Sequence, residues 1–288
     1  MTGNTVWLAS YPKSGNTWFR AVYAALHNRG PVDLERLSVD GAEGIASSRE
    51  RFEQALGLVT SELTSSEVDR LRPLADEYAD SLHDGPHLTK IHDALFTPSD
   101  GAPIVSVAAT RAAIYIVRDP RDVALSFAHH LGLDVSLVVG HMTNNRFSLG
   151  NAGAGTGGLL QLHQHLGSWS THVTSWLDNE LFPVLPVRFE DCLIDPVTTF
   201  VDAFRFAGFD VDAESMVEAV GHSSFERLAE TEQIHGFTER PNGSVRFFRK
   251  GLAGLWRDDL DPALAERICR DHGEVMVRLG YLEPPVTT

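Results

Sequence analysis

Lysine is scarce in this chain: three residues, Lys13, Lys90 and Lys250, stand against 21 arginines. Arginine serves wherever a generic surface cation will do. The surviving lysines are therefore candidates for positions that call for a compact point charge rather than a wide planar fork, with chance as the alternative. Cysteine is nearly absent as well. Cys192 and Cys269 are too few for a disulfide scaffold and lack zinc-site spacing, so two reduced, buried thiols are expected. No stretch approaches the ~18 consecutive apolar residues of a membrane span, and Met1–Thr5 carries no basic region of a signal peptide. A cytoplasmic protein follows as the expectation. Net positive charge is missing too: at −15 the mean field repels nucleic acid and anionic lipid, so a polyanionic ligand needs cations gathered locally.

What is present is ordinary for a folded protein. With 43% hydrophobic and 22% charged residues the chain does not resemble a disordered one, and 288 residues can bury a large core as one domain. Thr5–Ser10 is a short apolar run ended by Tyr11-Pro12, which predicts a buried strand. After Gly15, Trp18, Val22, Ala25 and Leu26 fall on one helix face. Residues 33–82 show helical periodicity, with Thr64 placed to cap a helix whose first turn holds Glu67. Further strands are expected at 87–92, 112–117 and 184–189. Helices are expected from Pro120 to Leu131, over 159–177, from Glu190 to about Ala207, near 213–221 and 224–232, and from Asp261 to Leu279. The glycine-rich stretch within 148–160 predicts a mobile loop or lid. Alternating strands and helices imply an α/β fold with a mostly parallel central sheet flanked by helices on both faces. Ligands in such folds bind beyond the carboxyl ends of the strands.

Tyr11-Pro12-Lys13-Ser14-Gly15-Asn16-Thr17-Trp18 lies between the first strand and its helix, where backbone N–H groups and a helix N-terminus converge on an anion. Gly15 permits close approach, Lys13 supplies charge, and Ser14 or Thr17 a hydroxyl. The lysine precedes the glycine, so this is not the common Gly-x-x-x-x-Gly-Lys-Ser/Thr nucleotide loop. The string resembles the 5′-phosphosulfate loop of sulfotransferases that use 3′-phosphoadenosine 5′-phosphosulfate (PAPS), with Asn16 in place of a threonine. Arg118 and Ser126, eight residues apart after a strand, resemble that family's 3′-phosphate pair. Arg249-Lys250-Gly251 resembles its C-terminal clamp on the same phosphate. Taken alone, Arg118 could simply pair with Asp119 or Asp122, and Ser126 could be a helix serine.

The resemblance implies a P-loop-like fold in a single domain over 1–288, and PAPS as donor with 3′,5′-adenosine bisphosphate (PAP) as product and no metal. It also implies that Trp18 and Phe225 flank adenine, with Phe189 and Ser223 nearby. Core packing is the alternative for each aromatic ring. Gly254-Leu255-Trp256 stands where family members often have Gly-Asp-Trp, which leaves that turn's role open. Sulfuryl transfer needs a base and cations at the reacting centre. Lys90-Ile91-His92 resembles the family's Lys-Thr-His. Positions two apart on a strand share a face, and a histidine suits proton removal at neutral pH. His92 is the expected base, with Lys13 and Lys90 at the transferred group. The other histidines, His129, His130, His163 and His165 among them, read as bystanders without a carboxylate partner. The acceptor is expected to be a small-molecule or natural-product hydroxyl, chosen by residues 33–82 and 132–180, where the glycine-rich loop and its flanking aromatic residues Phe147 and Trp169 suit a bulky group; a simple phenol and a lipid glycan are the alternatives. A nucleotide kinase-like phosphotransferase and a non-catalytic nucleotide-binding protein are the competing readings.

Overall fold

A computed structural model describes residues 3–37, 44–98, 101–150, 160–240, 246–248 and 250–284. In chain order the elements are β1 (Thr5–Ser10), α1 (Asn16–Asn28), α2 (Arg49–Leu56), α3 (Ser65–Asp80), β2 (His87–Ile91), β3 (Thr110–Val117), α4 (Pro120–Leu131), α5 (Val135–Met142), β4 (Ser148–Leu149), β5 (Gln164–His165), α6 (Trp169–Leu177), β6 (Val184–Arg188), α7 (Phe189–Ile194), α8 (Pro196–Phe206), α9 (Ala213–His222), α10 (Phe225–His235), α11 (Trp256–Asp259) and α12 (Pro262–Arg278). Single 3₁₀ turns lie at Leu34–Arg36 and Thr60–Glu62.

Four strands form one parallel sheet in the order β2-β1-β3-β6. Every residue of β1 is buried, as a strand covered on both faces must be. Alternation then sends the side chains to two cores. Trp7, Ala9, Ala113, Tyr115 and Val117 pack with Phe127, Trp176 and Met276 on one face. Val6, Leu8, Ile114 and Ile116 pack with Phe19, Val22, Phe200 and Phe204 on the other. All four strands run the same way, so their carboxyl ends meet along one edge: Tyr11 follows β1, His92 follows β2, Arg118 follows β3 and Phe189 follows β6.

Several boundaries match the sequence reading. Asp119 caps α4 ahead of Pro120, and Thr64 and Glu67 form a reciprocal capping box on α3. Three differ. The helix expected over 159–177 starts only at Trp169, where Ser168 accepts from the Thr171 N–H. Ahead of it Gly167 is left-handed, with φ 65°, and Gln164–His165 pairs with β4. The helix expected from Glu190 to Ala207 breaks at Asp195-Pro196, because proline lacks the N–H and drives Asp195 out of helical geometry (φ −137°, ψ 79°). Helix α5, capped by Asp134, was not anticipated. Most of the glycine-rich loop, residues 151–159, lies outside the described residues.

Candidate active site

The loop after β1 is shaped by two left-handed residues. Lys13 has φ 70° and Gly15 φ 115°, and Gly15 is the N-cap of α1. A Cβ on Gly15 would lie 2.6 Å from Cδ2 of Phe189, so the position also needs a bare backbone. Asn16 turns its amide inward. Its Nδ2 donates to the Leu8 carbonyl at 2.9 Å and to Ser10 Oγ at 3.3 Å, tying the start of α1 to β1. The buried hydroxyl of Ser14, which is not among the cavity-lining residues, and the Trp18 indole Nε1 have no partner among the described residues. The Lys13 ammonium stands 4.0 Å from the centre of the Phe247 ring.

Arg118 joins this loop to a distant segment. Its Nη1 donates to the Lys13 carbonyl at 3.3 Å and its Nη2 to the Leu252 carbonyl at 3.0 Å, and its guanidinium lies 4.7 Å over Phe189. Asp122, one alternative partner for Arg118, is 4.0 Å away and engaged elsewhere. Its carboxylate accepts from the backbone N–H of Gly254 at 2.6 Å and of Trp256 at 2.9 Å. That contact gives the Gly254-Leu255-Trp256 turn a role without an aspartate of its own. Trp256 lies between Arg121 and Arg257, whose guanidinium carbons are 3.7 and 4.8 Å from its ring centre. Gly251, at φ 61°, is pressed against Phe225, where a Cβ would come within 2.3 Å of the ring. Lys250 pairs at 2.6 Å with Asp259 on the rim, and Arg249 lies outside the described residues.

A cavity of about 750 Å³ opens along the strand ends. Its wall includes Lys13, Gly15, Asn16, Thr17, Trp18, Lys90, His92, Arg118, Ser126, Phe189, Phe225, Lys250 and Gly251. The sheet thus gathers residues that the sequence scatters over more than two hundred positions. Two assignments need correction. Ser223 is fully buried and donates to the Ala219 carbonyl at 2.7 Å, closing the last turn of α9 away from the cavity. Phe147 and Trp169 do not line the cavity. Trp169 is fully buried and Phe147 packs against the same core, because the segment that carries them folds over the sheet.

His92 is fixed at the end of β2. Its Nδ1–H donates to the Ser10 carbonyl at 2.8 Å, which leaves Nε2 as the ring's lone-pair nitrogen. Burial, aided by the Lys90 charge, holds its pKa well below the usual histidine value. The imidazole is therefore neutral at neutral pH. Its own carbonyl accepts from His172 Nε2 at 2.9 Å, and His172 Nδ1 accepts from the Tyr115 hydroxyl at 2.8 Å. The next residue, Asp93, receives both terminal nitrogens of Arg72 at 2.9 and 2.7 Å in a buried pair.

Sequence reasoning missed Arg72, Arg20, Glu239, His172 and Tyr115. Each acts through a partner tens of residues away, and none stands in a motif. His130, read as a bystander, also lines the cavity, with a buried Nδ1 lacking a partner among the described residues. His165 does have a carboxylate, Asp69, at 2.8 Å.

A parallel α/β sheet whose strand ends bring lysines, an arginine, a neutral histidine and a helix N-terminus to one cavity defines a P-loop-like fold with its candidate site at the carboxyl edge. A family model described as the sulfotransferase domain matches residues 4–280, and the chain belongs to that family. Sulfotransferase 1B1 of the dog is 27% identical over 270 residues, covering 90% of this chain and 79% of that protein. Among solved structures, mouse sulfotransferase SULT7A1 complexed with PAP superposes with a TM-score of 0.55 at 20% identity, over 95% of this chain and 84% of that one. Retinol dehydratase in complex with androsterone and PAP gives 0.57 at 20% identity, over 100% of this chain and 84% of that one. These last two likenesses concern the fold.

Proposed function

We propose that this sulfotransferase moves the sulfuryl group of PAPS to a hydroxyl of a small-molecule acceptor, with His92 as general base. The observation that carries the reading is the His92 Nδ1–H bond to Ser10, which reserves Nε2 for a proton from the cavity that Lys13 and Lys90 also face. The residues suit such a donor. On the cavity wall, Trp18 Nε1 and Arg118 Nε are buried polar atoms without partners among the described residues, and buried groups of this kind call for a ligand or water. Relatives in complex with PAP support the same donor chemistry.

When bound, PAPS supplies the sulfuryl group, and PAP is left when the sulfur–oxygen bond to its 5′-phosphate breaks. Lys13 and the α1 N-terminus hold the 5′ end. Arg118 and Ser126, joined by Arg249, Lys250 and Gly251, hold the 3′-phosphate. Trp18 and Phe225, with Phe189 beside them, flank the base. His92 Nε2 takes the acceptor's hydroxyl proton as the new oxygen–sulfur bond forms. Lys13 and Lys90 balance charge on the departing oxygen, a preorganised form of stabilisation. Leu34, Leu37, Leu125 and Leu131 line the cavity, which favours an apolar acceptor of natural-product type. The free thiols of Cys192 and Cys269 accord with a cytoplasmic setting.

Incubation with PAPS and a panel of phenols and alcohols tests the reading against ATP with magnesium. PAP is expected to accumulate, and His92→Ala to keep PAPS binding while losing turnover. ADP formation without PAPS binding would overturn it.

A further inference from the structure

Three distant parts of the chain meet on one wall of the cavity: Arg20 from α1, Lys90 from β2, and Glu239 from the segment after α10. Glu239 accepts from both cations, from Lys90 Nζ through Oε2 at 3.1 Å and from Arg20 Nη1 through Oε1 at 2.5 Å. The side chains are 12% exposed for Lys90, 9% for Arg20 and 30% for Glu239. A carboxylate on the wall of a cavity that takes a polyanion opposes donor binding by like-charge repulsion. Its presence there calls for a compensating role, and the bond to Lys90 supplies one.

We propose that Glu239 is a positioning residue for sulfuryl transfer: it fixes the Lys90 ammonium on the cavity wall and keeps it protonated, while Arg20 keeps the carboxylate ionised. This rests on the assignment of Lys90 to the transferred group. Burial alone acts the other way, because an ammonium withdrawn from water favours its neutral form. Burial does pull Lys90 below the usual lysine range, and Glu239 opposes that pull. The groups that face Lys90 are Arg20 from α1, His92 beyond the end of its own strand, His130 from α4, and Glu239. Only the carboxylate favours the charged lysine. Although burial works to raise it, the Lys90 and Arg20 charges hold the Glu239 carboxyl far below the ordinary carboxylate range. An uncharged Lys90 would bring no compensation to the departing oxygen, so the wild-type rate should persist to higher pH than that of a protein lacking Glu239.

The scarcity of lysine makes a direct test practical. With three lysines in the full chain, isotope-labelled lysine gives three side-chain NMR signals, assigned with Lys13→Arg and Lys250→Arg. The Lys90 titration is then read without any turnover. In Glu239→Gln that signal should titrate about one pH unit or more below its wild-type position. The kcat/KM for PAPS should fall about tenfold or more on the alkaline side, where the two titrations diverge, and recover as the pH is lowered. Glu239→Asp, which keeps the charge, should lie between the two and serves as the test if the glutamine variant does not fold. A Lys90 titration unmoved by either variant, or a rate loss by one factor at every pH, overturns the proposal. If the wild type does not consume PAPS, the functional reading fails, while the titration still decides whether Glu239 holds the Lys90 charge.

Discussion

Two parts of the cavity wall are held in different ways. At the end of β1 and β3, the geometry is set by backbone and buried partners: left-handed Lys13 and Gly15, Asn16 bound to the Leu8 carbonyl, and Arg118 bound to the Lys13 carbonyl. In the later segment that packs against this junction, Lys250 is 43% exposed and paired with an equally exposed Asp259. Exposed ion pairs contribute roughly 0–1 kcal/mol, so the Lys250 side chain itself is held weakly. The strand–helix junctions are fixed by buried partners, whereas the later segment is tied to them through its backbone and leaves the Lys250 side chain exposed.

Four substitutions probe that contrast, from the largest effect to the smallest. His92→Ala should lower kcat by about 10²–10⁴-fold with PAPS affinity retained, as single-turnover kinetics and calorimetry would report. Equal loss of binding and turnover would mean that His92 only shapes the pocket. Arg72→Met strands Asp93 in the core beside His92, and should cost about 3–5 kcal/mol of stability by denaturant titration. A neutral result would remove the pair from the scaffold of the junctions. Gly15→Ala demands a strained φ and a clash with Phe189. PAP binding should weaken by about 1–3 kcal/mol, whereas unchanged affinity would show that the loop gives way. Lys250→Ala should leave stability within about 0.5 kcal/mol of wild type and reduce PAP affinity only a few-fold. A loss greater than that of Gly15→Ala would reverse the comparison.

The junction part of the wall was legible in the sequence because it is local. Strand, loop and helix follow one another at 5–28 and 110–131, and the resemblance of Tyr11–Trp18 to a known loop fixed the assignments there. Lys90 and His92 were legible through the resemblance of Lys90-Ile91-His92 to the family's Lys-Thr-His, and strand alternation places both on one face. Asn16 was named for the donor, yet its amide points back at β1, since a one-residue departure from the family string says nothing of side-chain direction. Ser223 was read from a short motif, but the end of α9 buries it. Glu239, Arg20, Arg72 and His172 left no local signal: each is an ordinary helix or loop residue until the fold brings its partner within 3.1 Å. The 159–177 periodicity misled because a buried ribbon and a helix can share one apolar pattern.

The proposed donor carries two phosphates and requires two anion subsites, one of them built on Arg118 at the end of β3. Calorimetric titration of PAP and of ADP into wild type and Arg118→Ala tests this most directly. PAP is predicted to bind the wild type about 100-fold more tightly than ADP, a difference of about 2.7 kcal/mol, and Arg118→Ala to erase most of that preference. Equal affinity for the two nucleotides, or an equal loss for both in the variant, would contradict it.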